Sequence, residues 1–168
     1  MNIRDFTPEI FRLFDKQWAL LTAGSPDNFN TMTVSWGSLG SLWGSPDGAR
    51  PIATVYVRPA RYTYEFLEKN EFFTLTFFPE QYRDDLRYLG EHSGRDGDKL
   101  AATSLTPVPV EGGVGFREAK VTFVCRKIFH ADFETAHMPA DVVAAYYPDP
   151  ADPPHRMYIG EIVEMIEA

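Results

Sequence analysis

The run VRPARYTYEF at 57–66 holds the residue types needed to grip an anion. An apolar alternating stretch ends at Arg58, Pro59 fixes the corner, and Thr63 stands where helical spacing begins, so Arg58, Arg61 and Thr63 gather at a strand-to-helix junction. A helix N-terminus exposes backbone N–H groups and a partial positive charge, which suits phosphate. Guanidinium adds a planar fork for phosphate oxygens, and a hydroxyl adds one more donor. Between Asp47 and Glu65 the chain carries Arg50, Arg58 and Arg61 and no acid. The same residues also allow a plainer arrangement, a capped helix whose arginines pair with nearby glutamates.

Two other stretches carry polar chemistry. In HSGRDGDK (92–99) glycines permit close backbone approach, and Arg95 and Lys99 can reach an anion unless Asp96 and Asp98 neutralise them. In NTMTVSWGSLG (30–40) Met32, Val34 and Trp36 share one parity and Thr31, Thr33 and Ser35 the other. That hydroxyl row suits either a solvated sheet face or the polar edge of a planar ring, with Trp36 and Trp43 as stacking surfaces. His155, where a proline loop enters the last apolar stretch, can donate to a carboxamide or phosphate or pass a proton; an idle, exposed histidine fits its position equally. His92, His130, His137 and His155 have no metal-site spacing, so no metal is expected. Ser/His/Asp triads and nucleophile elbows are absent.

Elements must bring these stretches together. Thr7-Pro8-Glu9 predicts a short helix to about Asp15, with Thr7 as hydroxyl cap. Strands are expected near 18–24, 31–37, 52–58, 72–78, 118–129 and 157–166, with a Gly/Ser loop running from 37 through Gly48. Helices are expected over 63–69, from Pro79 to Gly90, and over 139–147, with 107–115 read as turns. Strict β-α-β alternation and a G-x-G-x-x-G turn are both missing. The pattern predicts a mainly β protein with short helices, a six-stranded antiparallel barrel in one domain over 1–168.

Composition narrows the function. Twenty-four acids against sixteen bases give a net charge of −8, which opposes binding to nucleic acid or an anionic membrane. One cysteine, Cys125, excludes an intrachain disulfide and any multi-cysteine cluster; its apolar neighbours predict a buried hydrophobe. With no leader-like or membrane-spanning run, a soluble cytoplasmic protein is expected.

The stretches NTMTVSWGSLGSLW (30–43), VRPARYTYEFLEKNEFFTLTFF (57–78) and SGRDGDKL (93–100), followed by EAKVTFVCRKIF (118–129) and HRMYIGEIV (155–163), resemble the flavin reductase-like, FMN-binding split-barrel family, its flavoredoxin-like branch above all. The resemblance implies a six-stranded split barrel, a homodimer, and FMN near the subunit interface. It implies that Arg58, Arg61 and Thr63 face the FMN phosphate, with Tyr62 in the same set. It implies that Asn30, Thr31, Met32, Thr33, Val34, Ser35 and Trp36 lie along the ribityl chain and isoalloxazine. Ser93, Gly94, Arg95 and Lys99 would complete the site, and His155 would stand beside the nicotinamide or flavin. Here Pro153 and Pro154 precede that histidine where related reductases often read Gly-Asp. The implied activity is NAD(P)H-dependent flavin reduction, or electron carriage to a partner protein without nicotinamide turnover; a pyridoxal-type or deazaflavin ligand is a third reading.

Overall fold

The computed structural model describes residues 2–45 and 48–168; Pro46 and Asp47, within the expected Gly/Ser loop, lie outside the described residues. Nine strands are formed among these: β1 Ala19–Ser25, β2 Asn28–Val34, β3 Gly37–Ser45, β4 Gly48–Val57, β5 Phe72–Phe77, β6 Pro107–Val110, β7 Gly113–Phe116, β8 Val121–Asp132 and β9 Arg156–Glu167. Seven make one antiparallel sheet in the order β2-β1-β5-β8-β9-β4-β3, and β6 pairs with β7. Consecutive strands β2 and β3 thus sit at opposite edges, yet only Ser35 and Trp36 link them. A two-residue link cannot span a flat seven-stranded sheet, whose neighbours lie about 4.8 Å apart, so the sheet must curl until its edges approach. This is a split barrel.

The interior is built by alternation. Leu21, Phe73, Leu75, Phe77, Phe123, Val55 and Tyr158 project inward and are fully buried. Each large side chain so buried stabilises the fold by about 1.5–3 kcal/mol. The opposite face of β1 and β5 is covered by helix α3 (Arg83–Glu91) and the β7 end, through Leu20, Phe78, Leu86, Leu89, Leu105 and Phe116. Cys125 is buried in the inner core, and desolvation pushes its thiol pKa up.

The sheet has seven strands where six were expected. β3 was hidden because its Gly and Ser residues have low strand propensity. As an edge strand it needs pairing on one side only, which β4 provides from Gly37↔Val55 to Ser45↔Gly48, with a bulge at Leu42/Gly44. The turn-rich 107–115 segment contains the β6–β7 hairpin. Near the N-terminus the expected helix is a single turn, α1 (Ile10–Arg12), running into a π-helical turn at Leu13–Gln17; its N-cap is Glu9 and no side chain caps it, so Thr7 does not serve. Helices α2 (Tyr62–Lys69) and α4 (Ala140–Tyr146) fall within a residue or so of their expected places.

Candidate functional site

The hydroxyl row on β2 finds partners within the protein. Thr31 is buried and its hydroxyl lies 2.8 Å from that of Thr22 on β1. Thr33 donates to the Leu86 carbonyl of α3. The same face continues with Thr76 and Thr122, 3.2 Å apart, and with Thr74 donating to the Val114 carbonyl at 2.6 Å. Neither solvent nor a ligand is needed to account for the Thr31 and Thr33 hydroxyls. They stitch strand to strand and sheet to helix. Val34 is buried in the core, Met32 packs against it, and Ser35 and Trp36 lie beyond the strand.

At the other end of that strand the three stretches meet. Asn30 donates to the Thr63 hydroxyl at 2.7 Å, tying β2 to the first turn of α2. No side chain caps α2 at its N-cap, Arg61. Gly94 packs against Asn30 and Tyr62. Arg95 binds the loop to α2 through Glu65 (2.5 Å) and the Ala60 carbonyl (2.9 Å), with its guanidinium 4.9 Å from the Tyr62 ring centre. Ser93 caps the short turn that follows it by accepting from the Arg95 backbone N–H at 3.2 Å.

These contacts wall a pocket of about 210 Å³ lined by Asn30, Met32, Arg61, Thr63, Gly94 and Lys99 among others. Its lining contains no acid. Arg61 is exposed and has no carboxylate partner among the described residues. Lys99 is buried and donates to the carbonyls of Leu89 (2.8 Å) and His92 (3.0 Å). Burial and, less, the Arg61 charge pull its pKa down to about 8. A buried ammonium held by carbonyls, beside an unpaired guanidinium, lacks a counter-charge. A second cavity of about 590 Å³ shares Asn30, Tyr62, Gly94 and Lys99 with the first and extends along Asn28 and Thr31.

Arg58 does not line either pocket. Its guanidinium is engaged within the chain: it pairs with the Asp152 carboxylate, donates to the Tyr146 carbonyl, and lies 5.0 Å from the Tyr147 ring centre. These partners set Arg58 at the barrel rim. There, His155 stands 5.1 Å from Trp36 (ring centres), Trp36 stands 5.8 Å from Tyr146, and the Tyr147 hydroxyl is 2.8 Å from His155 Nδ1. Burial, then Arg58 and Arg61, push the His155 pKa down to about 4. Tyr146, Tyr147 and Asp152 were missed because the signal lay in a helix end and a proline-rich loop with no motif spacing.

A model of the flavin reductase like domain matches residues 11–167. The chain belongs to the flavin reductase-like family. Among solved structures, it is similar to flavoredoxin of Desulfovibrio vulgaris (Miyazaki F), at 22% identity over 100% of this chain and 77% of that one, with a TM-score of 0.66. The FMN-binding protein from Thermus thermophilus with bound 1-cyclohex-2-enone matches at 21% identity over 99% and 79%, TM-score 0.68. An NADH:FAD oxidoreductase of Streptomyces globisporus C-1027 matches at 15% identity over 90% and 75%, TM-score 0.62. These likenesses establish the flavin reductase-like split barrel as the fold. Among curated proteins no match is found. No helix among the described residues is long and apolar enough to cross a membrane.

Proposed function

We propose that this flavin reductase-like chain binds FMN and transfers hydride or electrons between a reduced nicotinamide and the flavin or a downstream acceptor. The observation that carries the reading is the acid-free pocket where Arg61, Thr63 and the buried Lys99 converge in a chain of net charge −8. Two cations, a hydroxyl and an uncapped helix start are the donor set a phosphate monoester requires, so the residues fit the group. FMN-binding neighbours of the same fold support the choice of mononucleotide.

In this reading Arg61 and Lys99 neutralise the phosphate, while Asn30 holds Thr63 in place and Gly94 lets the 93–99 loop close. The neighbouring β2 edge from Asn30 and the Ser35–Trp36 link offer backbone groups and an indole along the rest of the cofactor. When bound, the isoalloxazine supplies reversible one- and two-electron chemistry. The protein needs no acid–base triad for that and contributes position, charge and exclusion of water. Indoles exposed at Trp36 and Trp43, beside and on edge strand β3, support burial against a second copy in a homodimer.

The acidic surface favours a second reading, a flavoredoxin-type carrier that is reduced by a basic partner protein and does not turn over nicotinamide itself. Purified chain incubated with FMN and desalted should retain a yellow flavin spectrum, and loss of all flavin would refute the cofactor. Rapid steady-state oxidation of NADH or NADPH then supports the reductase, and bound flavin without turnover supports the carrier.

A further inference from the structure

The segment 140–154, comprising α4 and the DPADPP loop, is tied to the barrel rim by Arg58 together with the Trp36 and His155 contacts of Tyr146 and Tyr147. Arg58, just past the end of β4, reaches both the Asp152 carboxylate and the Tyr146 carbonyl, and its guanidinium carbon lies 5.0 Å from the Tyr147 ring centre. Tyr147 is buried by this arrangement and its hydroxyl lies 2.8 Å from His155 Nδ1. A phenol is a better donor than acceptor, and a neutral imidazole nitrogen is a good acceptor. With the phenol as donor, Nδ1 receives the hydrogen bond and the ring's own proton is left on Nε2.

Nε2 has no partner among the described residues. Every fully buried side-chain nitrogen or oxygen among them does have one, so Nε2 is accessible. It is an unused donor beside Trp36.

We propose that Tyr147 is a positioning residue: it fixes His155 as the Nε2–H tautomer, so that this hydrogen is offered to a carbonyl or carboxamide oxygen of a substrate bound beside Trp36, while Arg58 holds Tyr147 in place. The choice of substrate oxygen rests on the proposed flavin function; the tautomer does not. The charged groups facing the ring are Arg58 from β4, Arg61 from the start of α2 and Asp152 from the loop. Burial opposes protonation most, the two arginines add to it, and Asp152 alone favours it. The donor thus stays neutral and unchanged from pH 8 down to well below 6, unlike an ordinary surface histidine.

The test uses FMN-loaded chain with ¹⁵N-labelled histidine and long-range ¹H–¹⁵N spectra, with His155 assigned among the four histidines through His155→Gln. The expected result is a neutral Nε2–H tautomer between pH 5.5 and 8 in the wild type. Tyr147→Phe should show both tautomers and take up its proton at higher pH than wild type. An Nδ1–H tautomer in the wild type, protonation near pH 6.5, or a Tyr147→Phe spectrum identical to wild type would each overturn the proposal. The wild-type spectrum decides by itself should the variant fail to fold. Failure to bind FMN, read separately by absorbance, would count against the cofactor reading and leave the tautomer result standing on flavin-free chain.

Discussion

Gly94 and Asn30 touch so closely that a Cβ at position 94 would stand 2.1 Å from Asn30 Oδ1. The loop carrying Lys99 can therefore close on β2 only with glycine at that position, because the Asn30 side chain is buried and already committed to Thr63. Gly94→Ala should displace Asn30, lower stability by about 1–3 kcal/mol, and weaken FMN retention. Urea denaturation alongside FMN titration checks both halves.

The β2 hydroxyls give a prediction of different kind. Thr31→Val leaves the Thr22 hydroxyl buried without its 2.8 Å partner. It should lower stability by about 1–3 kcal/mol while FMN affinity stays near wild type. A large affinity loss at unchanged stability would instead place this hydroxyl on the ligand.

Lys99 links charge to folding. Its folded pKa of about 8 lies below its ordinary value of 10.5. Between these pH values the unfolded chain binds more protons than the folded one, so stability rises with pH across that window. In flavin-free chain, wild type should gain stability relative to Lys99→Met as pH goes from 8 to 10.5. FMN affinity should move the other way, since the phosphate needs the protonated amine. Thermal melts and titrations over that range test the two slopes.

His155 has the same sense of shift at lower pH. Held near 4 against an ordinary 6.5, it resists protonation in the folded state. Stability conferred by the neutral ring is complete above pH 6.5 and lost as pH falls toward 4. His155→Gln should flatten that part of the acid-denaturation curve.

The sequence disclosed the meeting of segments better than the work of single side chains. Alternation around Phe73, Phe77 and Phe123 and the corner at Pro59 were enough to place six strands and α2, since burial imposes period two. β3 stayed hidden because backbone pairing, which leaves no side-chain signature, holds its glycines and serines in the sheet. Arg58 and Arg61 are three residues apart and chemically identical, so spacing alone could not tell them apart. Asp152, ninety-four residues beyond Arg58, makes the difference, and such a pairing becomes visible only when the barrel closes. The Thr31 and Thr33 hydroxyls were legible as a row, but not the Thr22 and Leu86 partners that absorb them.

The most direct measurement is an FMN titration of Arg61→Ala beside Arg58→Ala, both verified as folded. The Arg61 side chain has no carboxylate partner among the described residues, so its loss should leave stability within about 0.5 kcal/mol of wild type. It should cost about 1.5–3 kcal/mol of FMN binding, a fall of roughly tenfold to a hundredfold or more. Arg58→Ala should loosen the 140–154 segment with the smaller effect on affinity. Wild-type FMN affinity in Arg61→Ala would contradict the phosphate site and the function built upon it.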